Sequence, residues 1–162
     1  MLDLVSIFLA TKLHIVVILI ALVAIAFASD FQRLRTLVLA SIALPLVFLT
    51  SRIASLFFEN PRPFLEHDFV PLITHTADNG FPSDHALLVF AVASIVFTFN
   101  KQVGISLFIL AVLVGFGRVL VGVHHVIDIV GSFIIAAVIT YMIVAVLQMF
   151  LNQTSPNDTR FL

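Results

Sequence analysis

Hydrophobic residues along this chain fall into long runs, not into the short alternations of a soluble domain. A membrane-crossing helix needs about 20 mostly apolar residues, and five stretches approach or exceed that length: 13–29, 34–58, 83–99, 103–121 and 126–151. Pro45 lies inside the second and predicts a kink there. Residues 1–11 are apolar apart from Asp3, Ser6 and Thr11, and read either as an interfacial helix or as an extension of the first span. The stretch 13–29 exceeds the apolar core of about 7–15 residues found in secretory signals, and no clear cleavage site follows it, so it reads as a retained span. The expected fold is all-α: a polytopic membrane helix bundle of about five transmembrane helices, six if the N-terminal stretch forms its own. It is expected to be one membrane-embedded domain over residues 1–162.

Composition agrees with the pattern. Hydrophobic residues make up 61% and charged residues 10%, against roughly 45–50% and about 25% in soluble domains. The net charge of −1 and the lack of a basic tract speak against a nucleic-acid partner. With no cysteine, disulfides, thiol catalysis and zinc–thiolate sites are excluded. Connections are short except for the loop 59–82, which carries Pro61, Pro63, Pro71, Gly80, Pro82 and the acidic residues Glu59, Glu66, Asp68 and Asp78. Long loops without regular structure are uncommon and often functional.

Ionisable residues at or inside spans are costly and point to function. Arg52 and Arg62 close the second span, Asp84 and His85 open the third, Arg118 ends the fourth, and His124, His125 and Asp128 open the fifth. Span parity puts all of these at one membrane face. Arginine forks suit phosphate oxygens. Ser83, after Pro82, reads as the N-cap of a helix whose free N–H groups also suit phosphate. His124 and Asp128 are four apart, hence on one helix face, where the carboxylate can orient the ring and leave its other nitrogen free to attack. His85 could protonate a leaving oxygen. Arg33, Arg35, Lys101 and Arg160 fall at the opposite face. That face is expected to be cytoplasmic once Arg52, Arg62 and Arg118 are reserved for chemistry from a side that also holds Lys12.

These residues resemble the type-2 phosphatidic acid phosphatase superfamily, which includes vanadium haloperoxidases. Its motifs are Lys, six residues, Arg-Pro; then Pro-Ser-Gly-His; then Ser-Arg, five residues, His, three residues, Asp. Here stand Arg62-Pro63, Pro82-Ser83-Asp84-His85, and Gly117-Arg118 followed by His124 and Asp128. The Pro-Ser-Asp-His form resembles the bacterial undecaprenyl-diphosphatase branch. The resemblance implies that His124 is a nucleophile forming a phosphohistidine, Asp128 its orienting carboxylate and His85 the general acid. Arg62, Ser83 and Arg118 would hold the phosphoryl oxygens. It implies no metal and no other cofactor.

Three positions depart from the motifs. Ser55 stands where the family has Lys, with Arg52 one turn earlier as a replacement charge; Gly117 replaces Ser; Asp84 replaces Gly, with Arg52 available to pair with it.

The expected function is a lipid phosphatase or diphosphatase of the bacterial cytoplasmic (inner) membrane, acting at the extracytoplasmic side with a lipid phosphate as partner. A polyprenyl diphosphate is favoured, undecaprenyl diphosphate first. The alternatives are a phosphatase for phosphatidylglycerophosphate, phosphatidate or a lipid A phosphate, or a non-catalytic lipid-phosphate binder or translocator. An unrelated transporter with Arg and His lining its pathway is a more distant reading. Oligomeric state stays open. His125 fits no motif role and reads as a packing or interface residue, and Asn79-Gly80 reads as a turn. Asn152-Gln153-Thr154 matches a glycosylation pattern that a cytoplasmic tail would make meaningless.

Overall fold

A computed structural model describes residues 1–67 and 69–154, with side chains described as far as Phe150. Asp68, Arg160 and the side chains of 152–154, which entered the sequence reading, lie outside that description. The helices are α1 (Leu2–Thr11), α2 (Leu13–Ala26), α3 (Asp30–Phe57), α4 (Pro63–Glu66), α5 (Asp84–Phe97), α6 (Lys101–Leu120) and α7 (Val126–Thr154). Among the described residues there is no strand, only an isolated bridge between Pro61 and Asn79.

Local chemistry sets the helix boundaries. Ser29 and Gln32 form a capping box at the start of α3. Arg33 turns back to donate to the carbonyls of Ile25, Ala26 and Ala28, closing the end of α2. Asn100 caps α6 through its side-chain oxygen, which accepts from Val103 N at 3.1 Å. The helix α3 continues on both sides of Pro45.

Three helices, α3, α6 and α7, are long and apolar enough to cross a membrane, and α1 with α2 makes a fourth if the pair is one span bent by 47°. α5, expected as a full span over 83–99, has 14 residues, about 21 Å at 1.5 Å per residue. That is shorter than the hydrocarbon core of about 30 Å. α5 is the centre of the fold, packed on α6, α7, α2 and α3. Ala86, Ala91 and Ala93 are buried along it and let the neighbouring backbones approach. The outer faces of α3, α6 and α7 expose Leu, Ile, Val and Phe, as lipid contact requires.

The N-terminal stretch is a separate helix, packed chiefly on α6. The reason is Gly117: a Cβ there would lie 2.6 Å from Leu9 Cβ and 2.7 Å from Ala10 N. The family serine cannot stand at 117 while α1 lies where it does.

Candidate active site

The C-terminal ends of α3 and α6 and the N-terminal ends of α5 and α7 meet, with the loop 59–82, around a cavity of about 350 Å³. Arg52, Arg62, His85, Arg118 and His124 all line it. Ser83 and Asp128 are each 0% exposed, Ser83 between the lining residues Pro82 and Asp84 and Asp128 bonded to the lining residue His124. Of the residues that parity along the chain placed at one face, Arg52, Arg62, Asp84, His85, Arg118 and His124 line this one cavity.

The segment Val121–His125 links α6 to α7 and carries His124 at its buried edge. His124 Nδ1 is 3.2 Å from Asp128 Oδ2 and Nε2 is 3.2 Å from Arg62 Nη1. A guanidinium has no acceptor, so Nε2 must be the acceptor in that contact. The proton then sits on Nδ1, donated to Asp128, and the lone pair sits on Nε2, facing the cavity arginines. Burial holds the pKa of His124 below its ordinary value, assisted by Arg62 and Arg118, while Asp128 opposes the shift. The net effect favours the neutral ring.

Arg62 is 5% exposed. It donates from Nε to Asp78 Oδ1 at 2.7 Å and from Nη1 to Val123 O at 2.8 Å. Burial pushes the Asp78 carboxyl upward, but hydrogen bonds from Arg62 and Thr76 more than reverse this and keep it below the ordinary carboxylate value. Arg118 is buried, and its Nε and Nη2 have no partner among the described residues. Ser83 Oγ is likewise unpartnered. Ser83 stands at the N-cap position of α5, as the sequence indicates, and its hydroxyl makes no capping bond. Unsatisfied buried polar groups are costly, and here three donor-bearing atoms remain unpaired among the described residues, two of them on the cavity-lining Arg118.

Arg52 Nη2 lies 2.8 Å from both oxygens of Asp84, with its guanidinium over the Phe48 ring. Both partners are half exposed. The carboxylate that replaces the family glycine is thus neutralised by the arginine near the missing lysine, and Ser55 lines the same cavity. His125 Nε2 is 3.0 Å from Glu66 Oε2, tying α4 to the start of α7.

Two residues of the long loop, Asn60 and His75, escaped the sequence reading, and a third was underread. Asn79, expected only in a turn, is a clasp: its amide donates to Ser55 O and Phe58 O, and its oxygen accepts from the N–H groups of Asn60 and Phe81. Asn60 reaches Asp128. His75 stands edge-on to His124, ring centroids 6.0 Å apart, its pKa lowered by burial and by Arg62 and Arg118. The only available signal was the loop's length; its internal contacts have no period. Among the described residues, no group of three or more His, Cys, Asp or Glu is placed to hold a metal ion.

The chain is 32% identical over 132 residues to undecaprenyl-diphosphatase BcrC of Bacillus subtilis, a match covering 82% of this chain and 68% of that protein. It is 30% identical over 109 residues to phosphatidylglycerophosphatase B of the same organism, covering 60% of this chain and 53% of that one. It therefore spans between about half and two thirds of these relatives' lengths. The crystal structure of Aquifex aeolicus LpxE has the same fold: TM-score 0.57 and 20% identity over 85% of this chain and 90% of that one. The family model of the PAP2 superfamily matches residues 34–152, which take in every motif residue at the cavity, and the chain belongs to that superfamily.

Proposed function

We propose that this integral membrane protein hydrolyses a lipid diphosphate, undecaprenyl diphosphate first among candidates, through a phosphohistidine on His124. The observation that carries the reading is the pair of contacts at His124: Nδ1 at 3.2 Å from Asp128 and Nε2 at 3.2 Å from Arg62, which put the proton on Nδ1 and leave on Nε2 a lone pair that Arg62 yields to phosphorus. In the proposed reaction Nε2 attacks the terminal phosphorus. The N–P bond forms, the bridging P–O bond breaks, and the departing lipid monophosphate takes a proton from His85. Water then attacks phosphorus, its proton passes to His85, and inorganic phosphate and neutral His124 are released. Arg62, Arg118 and Ser83 take the phosphoryl oxygens, and the unpartnered donors of Ser83 and Arg118 support this. Arg52 stands at the rim, held by Asp84 until a more highly charged phosphate competes for it. Such an exposed pair is worth only about 0–1 kcal/mol.

The similarity to BcrC supports the diphosphate substrate, while that to phosphatidylglycerophosphatase B favours phosphatidylglycerophosphate as the second reading. The site is placed on the extracytoplasmic side of the bacterial cytoplasmic membrane. Supporting this, Arg33, Arg35 and Lys101 lie at the end of the bundle away from the cavity.

The test is phosphate release by purified protein in EDTA from undecaprenyl diphosphate, phosphatidylglycerophosphate, phosphatidate and a lipid A phosphate. Fastest turnover of the prenyl diphosphate, abolished in a folded His124→Ala variant, is expected. Undiminished turnover in His124→Ala removes the mechanism. Binding without release by the wild type makes the protein a lipid-phosphate binder.

A further inference from the structure

We propose that Asn60 is a positioning residue of this site, its side-chain amide holding Asp128 in the orientation that aims His124 Nε2 at phosphorus. The inference rests on the His124 reading above. Asn60 Nδ2 lies 2.7 Å from Asp128 Oδ1, shorter than the 3.2 Å between Asp128 Oδ2 and His124 Nδ1.

Asp128 is 0% exposed, so protein donors must satisfy its oxygens. Oδ2 has two: the His124 ring and the backbone N–H of His125, the latter at 2.9 Å. Oδ1 has Asn60 alone among the described residues. Without that amide, one oxygen of a buried carboxylate has no donor. The group is then anchored through Oδ2 alone, by the His124 ring and the His125 N–H, and the plane in which Oδ2 meets the imidazole is held less tightly. Partners of this kind, one step removed from the reacting group, fix ring orientation and tautomer.

Asn60 is itself held in place. Its N–H donates to Asn79 Oδ1 at 3.0 Å, and its carbonyl accepts from Gly80 N at 2.8 Å. Gly80 packs closely there: a Cβ would sit 3.0 Å from Asn60 O and 3.1 Å from Asp128 Oδ2, tighter than ordinary van der Waals contact. Two residues on, Arg62 meets the other nitrogen of the same ring. One short segment therefore grips the imidazole from both sides: Arg62 directly at Nε2, Asn60 through Asp128 at Nδ1.

The experiment compares wild type, Asn60→Leu, Asn60→Gln and His124→Ala on undecaprenyl diphosphate across pH, with thermal midpoints in detergent. Leucine matches the size and removes the donor, whereas glutamine keeps the amide. Asn60→Leu is expected to lower kcat by about 10- to 100-fold and to leave KM within about twofold. Its acid limb of kcat/KM should move to lower pH, because a loosened Asp128 supports the protonated ring less. Arg62, Arg118, His75 and His85, the other titratable groups facing His124, are the same in every variant. Asn60→Gln is expected to recover part of kcat and move the limb back. An Asn60→Leu enzyme with wild-type kcat overturns the proposal. So does equal impairment of both variants with an unmoved acid limb, which is the signature of a purely structural loss. An inactive wild type, or an active His124→Ala, fells the functional reading and this inference with it. A failure confined to the Asn60 variants fells this inference alone.

Discussion

His124 gains its expected reactivity from two contacts of opposite kind. Arg62 fixes the lone pair on Nε2, and Asp128 fixes the proton on Nδ1. Since a nucleophile must be neutral to attack, and burial with Arg62 and Arg118 holds this histidine below its ordinary value of 6.5, the acid limb of kcat/KM is expected below that pH. A pH–rate profile checks this; a limb well above 6.5 would mean that Asp128 outweighs the arginines. Arg62→Lys should cost more than a charge-conserving change ordinarily does. A lysine ammonium is a point charge and cannot serve Asp78, Val123 O and the imidazole in the geometry of a guanidinium. A loss of at least about 100-fold in kcat/KM, roughly 2.7 kcal/mol of transition-state stabilisation, is expected in steady-state kinetics.

At the scale of elements, the site depends on how α1 seats on α6 and how the long loop is pinned. Gly117→Ser restores the family residue but drives a side chain into Leu9 and Ala10. Overpacking of this kind costs about 1–3 kcal/mol, so a lower thermal midpoint in detergent is expected, with activity falling only as α1 is displaced. The loop is pinned by Asn79, whose side chain links Ser55 O and Phe58 O at the end of α3 to the N–H groups of Asn60 and Phe81. Asn79→Ala removes all of these bonds together. Faster hydrogen exchange across 59–82 and a fall in kcat are expected, because Asn60 and Arg62 lie on the segment released.

For the whole molecule, all helices that contribute to the cavity do so from one end of the bundle. The proposed outward orientation can be tested directly, since the chain has no cysteine and any introduced thiol is unique. Thr74 and Gln102 are exposed at opposite ends. In intact cells, Thr74→Cys is expected to react with a membrane-impermeant maleimide and Gln102→Cys only after lysis. The reverse pattern would invert the topology.

The sequence alone determined the helical membrane architecture, the gathering of Arg62, His85, Arg118 and His124 at one face, and the His124–Asp128 pair. Long apolar runs, span parity and the 3.6-residue turn are properties of the chain that need no knowledge of packing. The tertiary structure decided every feature that depends on close approach between distant segments. It showed α5 to be a short central helix, left the Ser83 hydroxyl unpaired though the residue stands at a cap position, and set Arg52 against Asp84. It brought Asn60 to Asp128 across 68 residues and His75 to the edge of His124. A loop without periodicity carries no local signal of where its side chains point; only the packed helix ends around it fix that.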